Sequence, residues 1–212
     1  MEMGIGQYDS EYTQCQCFWG TNPGKYVILL AKLLQSGRVL DLGAGEGKNA
    51  IYLAEKGFRV TAVECSSFAI KNFIGRMATL EEDIRSRIEV IQANVIDYVP
   101  IGHYDAGIAY GLLHCLPNVK AIQEVLSYMK EHTSHNGYNV VVALTNQKKI
   151  PRVQNYLKPT LLPADYFRDV YKNWDILTFE DSTLVEMHPT SRTIHRHGIC
   201  RILARKVDHE IV

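Results

Sequence analysis

The sequence lacks any excess of charge: 23 Lys and Arg offset 23 Asp and Glu, so the formal net charge is zero. Nothing therefore pulls the whole molecule toward nucleic acid or an anionic membrane, and a polynucleotide partner is disfavoured. No apolar run approaches the ~18 residues that a membrane span needs, and the opening MEMGIGQYDSEY has no basic segment leading into an apolar one. A cytoplasmic protein with no membrane partner is expected. Cysteines are few: five, an odd number without framework spacing, which fits reduced thiols and argues against a structural disulfide. Cys15 and Cys17 form a C-x-C, but two thiols alone do not make a tetrahedral site, so no metal is assigned. Repeats, low-complexity tracts and interior linkers are missing too. The expected organisation is an aromatic leader or lid over 1–22, a single domain over 23–207 and a tail over 208–212, in a monomer or homodimer.

What is present is a composition, 46% hydrophobic and 22% charged, that can bury a sizeable core. Pro23 to Leu34 reads as a helix with Thr21 or Asn22 as N-cap and Gly37 as its stop. Strand-like runs follow at Arg38 to Leu42, Arg59 to Glu64, Ile88 to Gln92, Tyr104 to Tyr110 and Tyr138 to Leu144. Helical segments lie between them, at about Lys48 to Lys56, Phe68 to Leu80 and Val119 to His132, with Gly57 and Gly137 as stops. Beyond residue 145 come a helix near Ala164 to Asn173 and two strands near Trp174 to Glu180 and Arg196 to Arg205. No helix-length segment separates those two strands, so they should pair antiparallel around a loop at Asp181 to Thr193. The pattern predicts an α/β fold with a doubly wound, mostly parallel, seven-stranded Rossmann-like sheet and a C-terminal antiparallel hairpin. Basic runs at Lys148, Lys149 and Arg152, and at Arg192, Arg196 and Arg201, read as solvated surface.

The strongest local signal is VLDLGAGEGKNAIYL, where a strand ends at Asp41-Leu42, glycines follow at 43, 45 and 47, and a helix begins. Glycine lets the backbone approach a ligand closely, and the helix points its free N–H groups at the same place. This is a nucleotide-cofactor loop. Gly45, Gly47 and Ala50 also satisfy the G-x-G-x-x-G/A dinucleotide fingerprint, with Glu64 at nearly the right distance, so an NAD-dependent oxidoreductase is an alternative on spacing alone. Charge discriminates: Asp41 would repel a pyrophosphate, whereas S-adenosylmethionine brings an ammonium and a sulfonium, both positive. Glu64 can accept from ribose hydroxyls in either case.

These residues resemble class I methyltransferases, and VLDLGAGEGKNAIYLAEKGFRVTAVECS is similar to the small tellurite-resistance branch. FWGTNPGKYV, the VTAVE strand end and HRHGICRILARK extend the likeness over most of the chain. The resemblance implies S-adenosyl-L-methionine as cofactor, with Gly43, Gly45 and Gly47 at its methionine part, Glu64 on the ribose and Asn49 following the loop. Asn94, where many members carry an acidic residue, is placed at the adenine through its amide oxygen. Asp41, Cys65, Val95, Tyr110 and Trp19 complete the expected donor contacts. Glu186-Met187-His188 is also branch-like, but Pro189 stands where members have a basic residue, which argues against tellurite or selenite as acceptor.

Methyl transfer from a sulfonium demands in-line alignment, exclusion of water and, for an unactivated N–H or O–H, removal of a proton. His114, after the fourth strand, is placed to act as base or orienting group, and helix packing explains it slightly better. Cys115 reads as a small apolar residue. Tyr8, Tyr12, Phe18 and Trp19 suit closure over the cofactor or plain docking of the leader, and Tyr8 and Tyr12 are assigned to the acceptor. His188, His195 and His197 suit a metal, an anionic substrate or merely a polar face on an edge hairpin. His188 is taken as the functional member of that group, while His195 and His197 are assigned to the acceptor. The expected activity is methylation of a sulfur, nitrogen or oxygen of a small molecule. A catalytically silent cofactor-binding module is a further alternative.

Overall fold

The computed structural model describes residues 8–151, 158–189 and 193–207. Arg152, Arg192 and the tail 208–212 lie outside the described residues, as does the start of the leader. The leader carries a short helix, α1 (Asp9–Gln14), followed by α2 (Lys25–Leu34). Then β1 (Arg38–Leu42), α3 (Lys48–Glu55), β2 (Arg59–Glu64), α4 (Ser67–Met77), a one-turn helix α5 (Glu82–Arg85) and β3 (Ile88–Gln92) alternate along the chain. They are followed by β4 (Tyr104–Tyr110), α6 (Val119–Glu131), β5 (Thr133–Thr145), α7 (Ala164–Val170), β6 (Asp175–Glu186) and β7 (His195–Arg205). The seven-stranded sheet has the order β3-β2-β1-β4-β5-β7-β6. Pairs β1 to β5 are parallel, and β7 runs antiparallel to both β5 and β6.

Period-two alternation divides the core between the two faces of the sheet. Leu40 and Leu42 of β1 pack with Ile122, Leu126 and Phe167 of α6 and α7, whereas Val39 packs with Leu30, Leu53 and Phe73 of α2, α3 and α4. Central parallel strands are buried on both sides, which is why β1 and β2 read as continuous apolar runs. The chain reverses its winding between β1 and β4, and the carboxyl ends there open the crevice where doubly wound folds bind ligands.

Several boundaries differ from the sequence reading. Gly24, not Thr21 or Asn22, caps α2; its N–H donates to Asn49 Oδ1 at 2.9 Å, and a Cβ there would lie 2.1 Å from the Tyr110 ring. Gly137 is not a helix stop but lies inside β5, which starts already at Thr133 because Tyr104 pairs with it beyond a bulge. The expected loop at Asp181 to Thr193 is shorter, since β6 stays paired with β7 as far as Glu186 opposite His195.

Gly47 caps α3 at φ +76°, and a Cβ at this position would lie 2.0 Å from the buried Phe73 ring. Gly47→Ala therefore adds left-handed strain to a clash, and is expected to cost roughly 2–5 kcal/mol, read as a lower urea midpoint at unchanged slope. An unchanged midpoint would show that loop and ring adjust freely.

Candidate active site

A cavity of about 370 Å³ opens at the carboxyl ends of β1, β2, β4 and β5, between the glycine turn and the leader. Gly43 and Gly45 form one wall and Glu64 the floor beside them. Glu64 is held by three backbone donors: Gly45 N–H to Oε2 at 2.8 Å, and Cys65 and Ser66 N–H to Oε1 at 2.9 and 2.8 Å. An ionised carboxylate offers about four acceptor positions, so this one is fixed in place with capacity left for a diol. Cys65 lines the same wall, and burial, reinforced by the Glu64 charge, pushes its thiol up to about 12.

Asp41, the last residue but one of β1, precedes the glycine turn, is 1% exposed and is not among the residues that line the cavity. Its Oδ2 is buried without a hydrogen-bond partner. Burial lifts the carboxyl from 3.8 to about 7, the Glu64 charge adds to the rise, and Lys48 opposes it. A desolvated carboxylate left unpaired is costly, and a cation in the neighbouring cavity would relieve it.

The leader closes the cavity's outer side. Tyr8, Tyr12 and Trp19 line it, with Trp19 Nε1–H donating to Tyr12 Oη at 3.3 Å. Burial raises the Tyr12 phenol well above its ordinary range, so it stays protonated. The leader is fastened by Glu46 from the glycine turn: its carboxylate accepts from Cys17 N–H and Phe18 N–H at 2.8 Å each and from Asn72 Nδ2 at 2.9 Å. Lys48 Nζ adds a bond to Trp19 O at 3.0 Å, and Ser66 Oγ–H one to Asp9 Oδ1.

On the far side, Tyr110, His114 and Cys115 face Val142, Leu144 and Ile199. Leu144 N–H donates to His114 Nδ1 at 3.2 Å, so the neutral ring carries its proton on Nε2. Burial, with the His197 charge, lowers this imidazole to about 4. It is thus a hydrogen-bond donor at neutral pH, which supports the orienting role over the basic one. Burial pushes the Cys115 thiol up to about 12 and leaves it a poor nucleophile. Glu186 and His197 close this end. Burial penalises the Glu186 charge, yet hydrogen bonds and positive charge from His188 and His197 outweigh it and hold the carboxyl below its ordinary range.

Not every residue named from the sequence reaches the cavity. Gly47 packs on Phe73 instead. Asn94 and Val95 are not among the lining residues: Asn94 Oδ1 accepts from Ile96 N–H at 3.1 Å, and Val95 belongs to the α6-side core. Asn49 lines the cavity while its Oδ1 ties down the start of α2. His188 and His195 lie behind the wall, with His188 stacked on Phe18 and edge-on to Trp19. His195 and His197 are buried rather than a polar outer face. Of the basic residues read as solvated surface, Lys148 lines the cavity mouth and Arg201 its wall, with Arg201 Nη1 donating to Glu180 Oε1 at 2.6 Å. Sequence reasoning missed Glu46 altogether and named Glu186 only as part of a motif. The acidic residue between two loop glycines was the one signal for Glu46.

A sheet of this order with a glycine turn and a ribose-ready carboxylate at its switch point defines the class I S-adenosylmethionine-dependent methyltransferases. The sequence model described as Tellurite resistance protein TehB matches residues 15–199, and the chain belongs to that family. It is 27% identical over 183 residues to the probable S-adenosyl-L-methionine-dependent methyltransferase TehB of Haemophilus influenzae, covering 85% of this chain and 61% of that protein. The chain thus spans under two thirds of this relative's length. The crystal structure of Haemophilus influenzae TehB superposes with a TM-score of 0.74 at 22% identity, covering 94% of this chain and 65% of that one. The glycopeptide N-methyltransferase MtfA complexed with S-adenosylmethionine gives 0.65 at 15% identity, covering 92% and 91%. Among the described residues no helix is long and apolar enough to cross a membrane.

Proposed function

We propose that this chain transfers the methyl group of S-adenosylmethionine to a sulfur, nitrogen or oxygen of a small molecule. The observation that carries the reading is the orphaned, buried Asp41 carboxylate beside a backbone-anchored Glu64. A cationic amino-acid nucleoside satisfies both, whereas a pyrophosphate would meet Asp41 as a like charge. When bound, the cofactor supplies a methyl group on a positively charged sulfur, electrophilic enough to need no metal or covalent enzyme intermediate.

The chain's residues bind and align. Glu64 accepts from the ribose hydroxyls, and Asp41 holds the ammonium end through the glycine turn. Tyr8, Tyr12 and Trp19 exclude water. His114 Nε2–H orients an acceptor atom without removing its proton, which favours acceptors that arrive as a free lone pair, a thiolate or an unprotonated amine. The apolar walls at Val142, Leu144 and Ile199 suit a compact acceptor.

Calorimetric titration of S-adenosylmethionine, S-adenosylhomocysteine and NAD tests the cofactor, followed by S-adenosylhomocysteine release with a panel of thiols and amines. Both sulfur nucleosides are expected to bind one to one and NAD not at all. NAD binding alone would overturn the reading, and tight donor binding without turnover on any nucleophile would leave a silent module.

A further inference from the structure

The β6–β7 hairpin gathers a cluster to which the methyl transfer proposed above gives no role. The pairing of Glu186 with His195 places the end of β6 beside the start of β7, and His188 returns over the same point. Around Glu186 Oε1 stand three imidazole nitrogens: His188 Nε2 at 3.4 Å, His195 Nε2 at 3.5 Å and His197 Nε2 at 3.2 Å. His188 Nε2 and His195 Nε2 are 3.2 Å apart. All three histidines are buried, at 6–7% exposure.

The nitrogen and oxygen atoms of this cluster stand mutually close. His195 Nδ1 lies 2.9 Å from Thr193 O, and a carbonyl only accepts, so the neutral ring bears its proton there and presents a lone pair at Nε2. That lone pair faces a carboxylate oxygen and a second imidazole nitrogen. His197 Nε2 is buried 3.2 Å from the same Glu186 Oε1. The spacings are compatible with a shared ion. An N–H···O bond runs about 2.7–3.2 Å, whereas ligands about 2.0–2.1 Å from a tetrahedral ion stand roughly 3.3–3.4 Å apart. The same bonds around an octahedral ion put neighbours about 2.9 Å apart. The triangle Glu186–His188–His195, with edges of 3.2, 3.4 and 3.5 Å, lies nearer the tetrahedral than the octahedral spacing, its His188–His195 edge also falling within hydrogen-bond range.

We propose that Glu186, His188 and His195 bind a divalent transition ion of the zinc class, tetrahedral, through Oε1 and two Nε2 atoms. The three ligand atoms form a compact group within 4.8 Å of one another. Thr193 O fixes the His195 tautomer from outside, as the outer partners of metal-bound histidines do. His197, one edge length from Glu186 Oε1 but outside the compact group, is a positioning residue for that carboxylate. Three protein ligands leave a fourth position for water or a substrate atom. Because Glu186 lines the cavity, the ion sits in the cavity wall under the leader, where Phe18 and Trp19 cover His188. The expectation of no metal, drawn from the cysteines, is replaced by this histidine and carboxylate set. The proposal stands independently of the methyl donor.

The test is Co²⁺ and Zn²⁺ titration of the full chain after chelator dialysis. One equivalent of Co²⁺ should give the intense visible d–d bands of a tetrahedral site, displaced by one equivalent of Zn²⁺. His195→Gln and Glu186→Gln, with folding checked by circular dichroism, should weaken binding beyond the ~10- to 100-fold that losing an outer partner costs. His197→Ala should fall within that range. Replacing both His103 and His132, a surface pair with ring centroids 6.0 Å apart, should leave the bands intact. If the ligand variants fail to fold, X-ray absorption of the Zn²⁺-loaded wild type decides: it should show nitrogen and oxygen neighbours with imidazole scattering. Sulfur neighbours, no stoichiometric binding, or bands lost with His103 and His132 would overturn the proposal.

Discussion

Replacing Glu64 with alanine is expected to weaken S-adenosylhomocysteine binding by roughly 100- to 10,000-fold, because two hydrogen bonds to a charged acceptor contribute about 1.5–3 kcal/mol each. The size of the effect follows from pre-organisation. Gly45, Cys65 and Ser66 N–H already hold the carboxylate, so little ordering is required when the ribose arrives. The same donors lose their partner in the variant, so a lower melting temperature accompanies the loss and must be measured beside it. Calorimetry on protein that circular dichroism shows to be folded separates the two. Affinity within a factor of three of wild type would remove Glu64 from the donor site.

Asp41→Asn is expected to act with opposite signs on stability and on binding. The carboxyl stands at about 7 in the folded chain against 3.8 when free, chiefly through burial. Between these values the folded chain holds a proton that the unfolded chain has released. Stability therefore falls as pH rises through that window, by roughly 4 kcal/mol in total at about 1.4 kcal/mol per unit. Asparagine does not ionise, so the variant should lack this slope, matching wild type near pH 4 and exceeding it at pH 8 in urea melts. Donor affinity moves the other way, because the counter-charge for the ammonium is gone. In wild type, binding a cation should drive a proton off Asp41 below about pH 7, visible as a buffer-dependent calorimetric enthalpy that the variant lacks. Parallel stability profiles for the two proteins would show that Asp41 does not titrate as described.

The parallel half of the sheet was legible because its strands are buried on both faces and stand out as apolar runs such as Val39 to Leu42. The outer hairpin was only partly so. Residues Glu180 to Glu186 alternate half-buried and exposed positions on an edge strand, and Asp181, Ser182 and Thr183 in sequence look like a loop. The glycine turn, Asp41 and Glu64 announced themselves by residue type and spacing. Glu46 did not, because its partners are backbone N–H groups nearly 30 residues earlier, which no side-chain pattern encodes. The histidines were visible one by one, but their meeting on a single carboxylate oxygen depends on the register that sets Glu186 opposite His195. Asn94 was carried over by position, and its oxygen accepts from Ile96 N–H in a local turn away from the cavity lining.

Glu46 sits between Gly45, whose N–H anchors Glu64, and Gly47, which seats α3 on Phe73, and it grips the leader with its carboxylate. The cover of the cavity is therefore latched to the same glycine turn that forms the cavity wall. On the proposed reading, a nucleoside that passes the leader does so once that latch is sprung and the two N–H groups of Cys17 and Phe18 find water in its place. Exchange by that route would be tied to a discrete opening event centred on the Glu46 carboxylate.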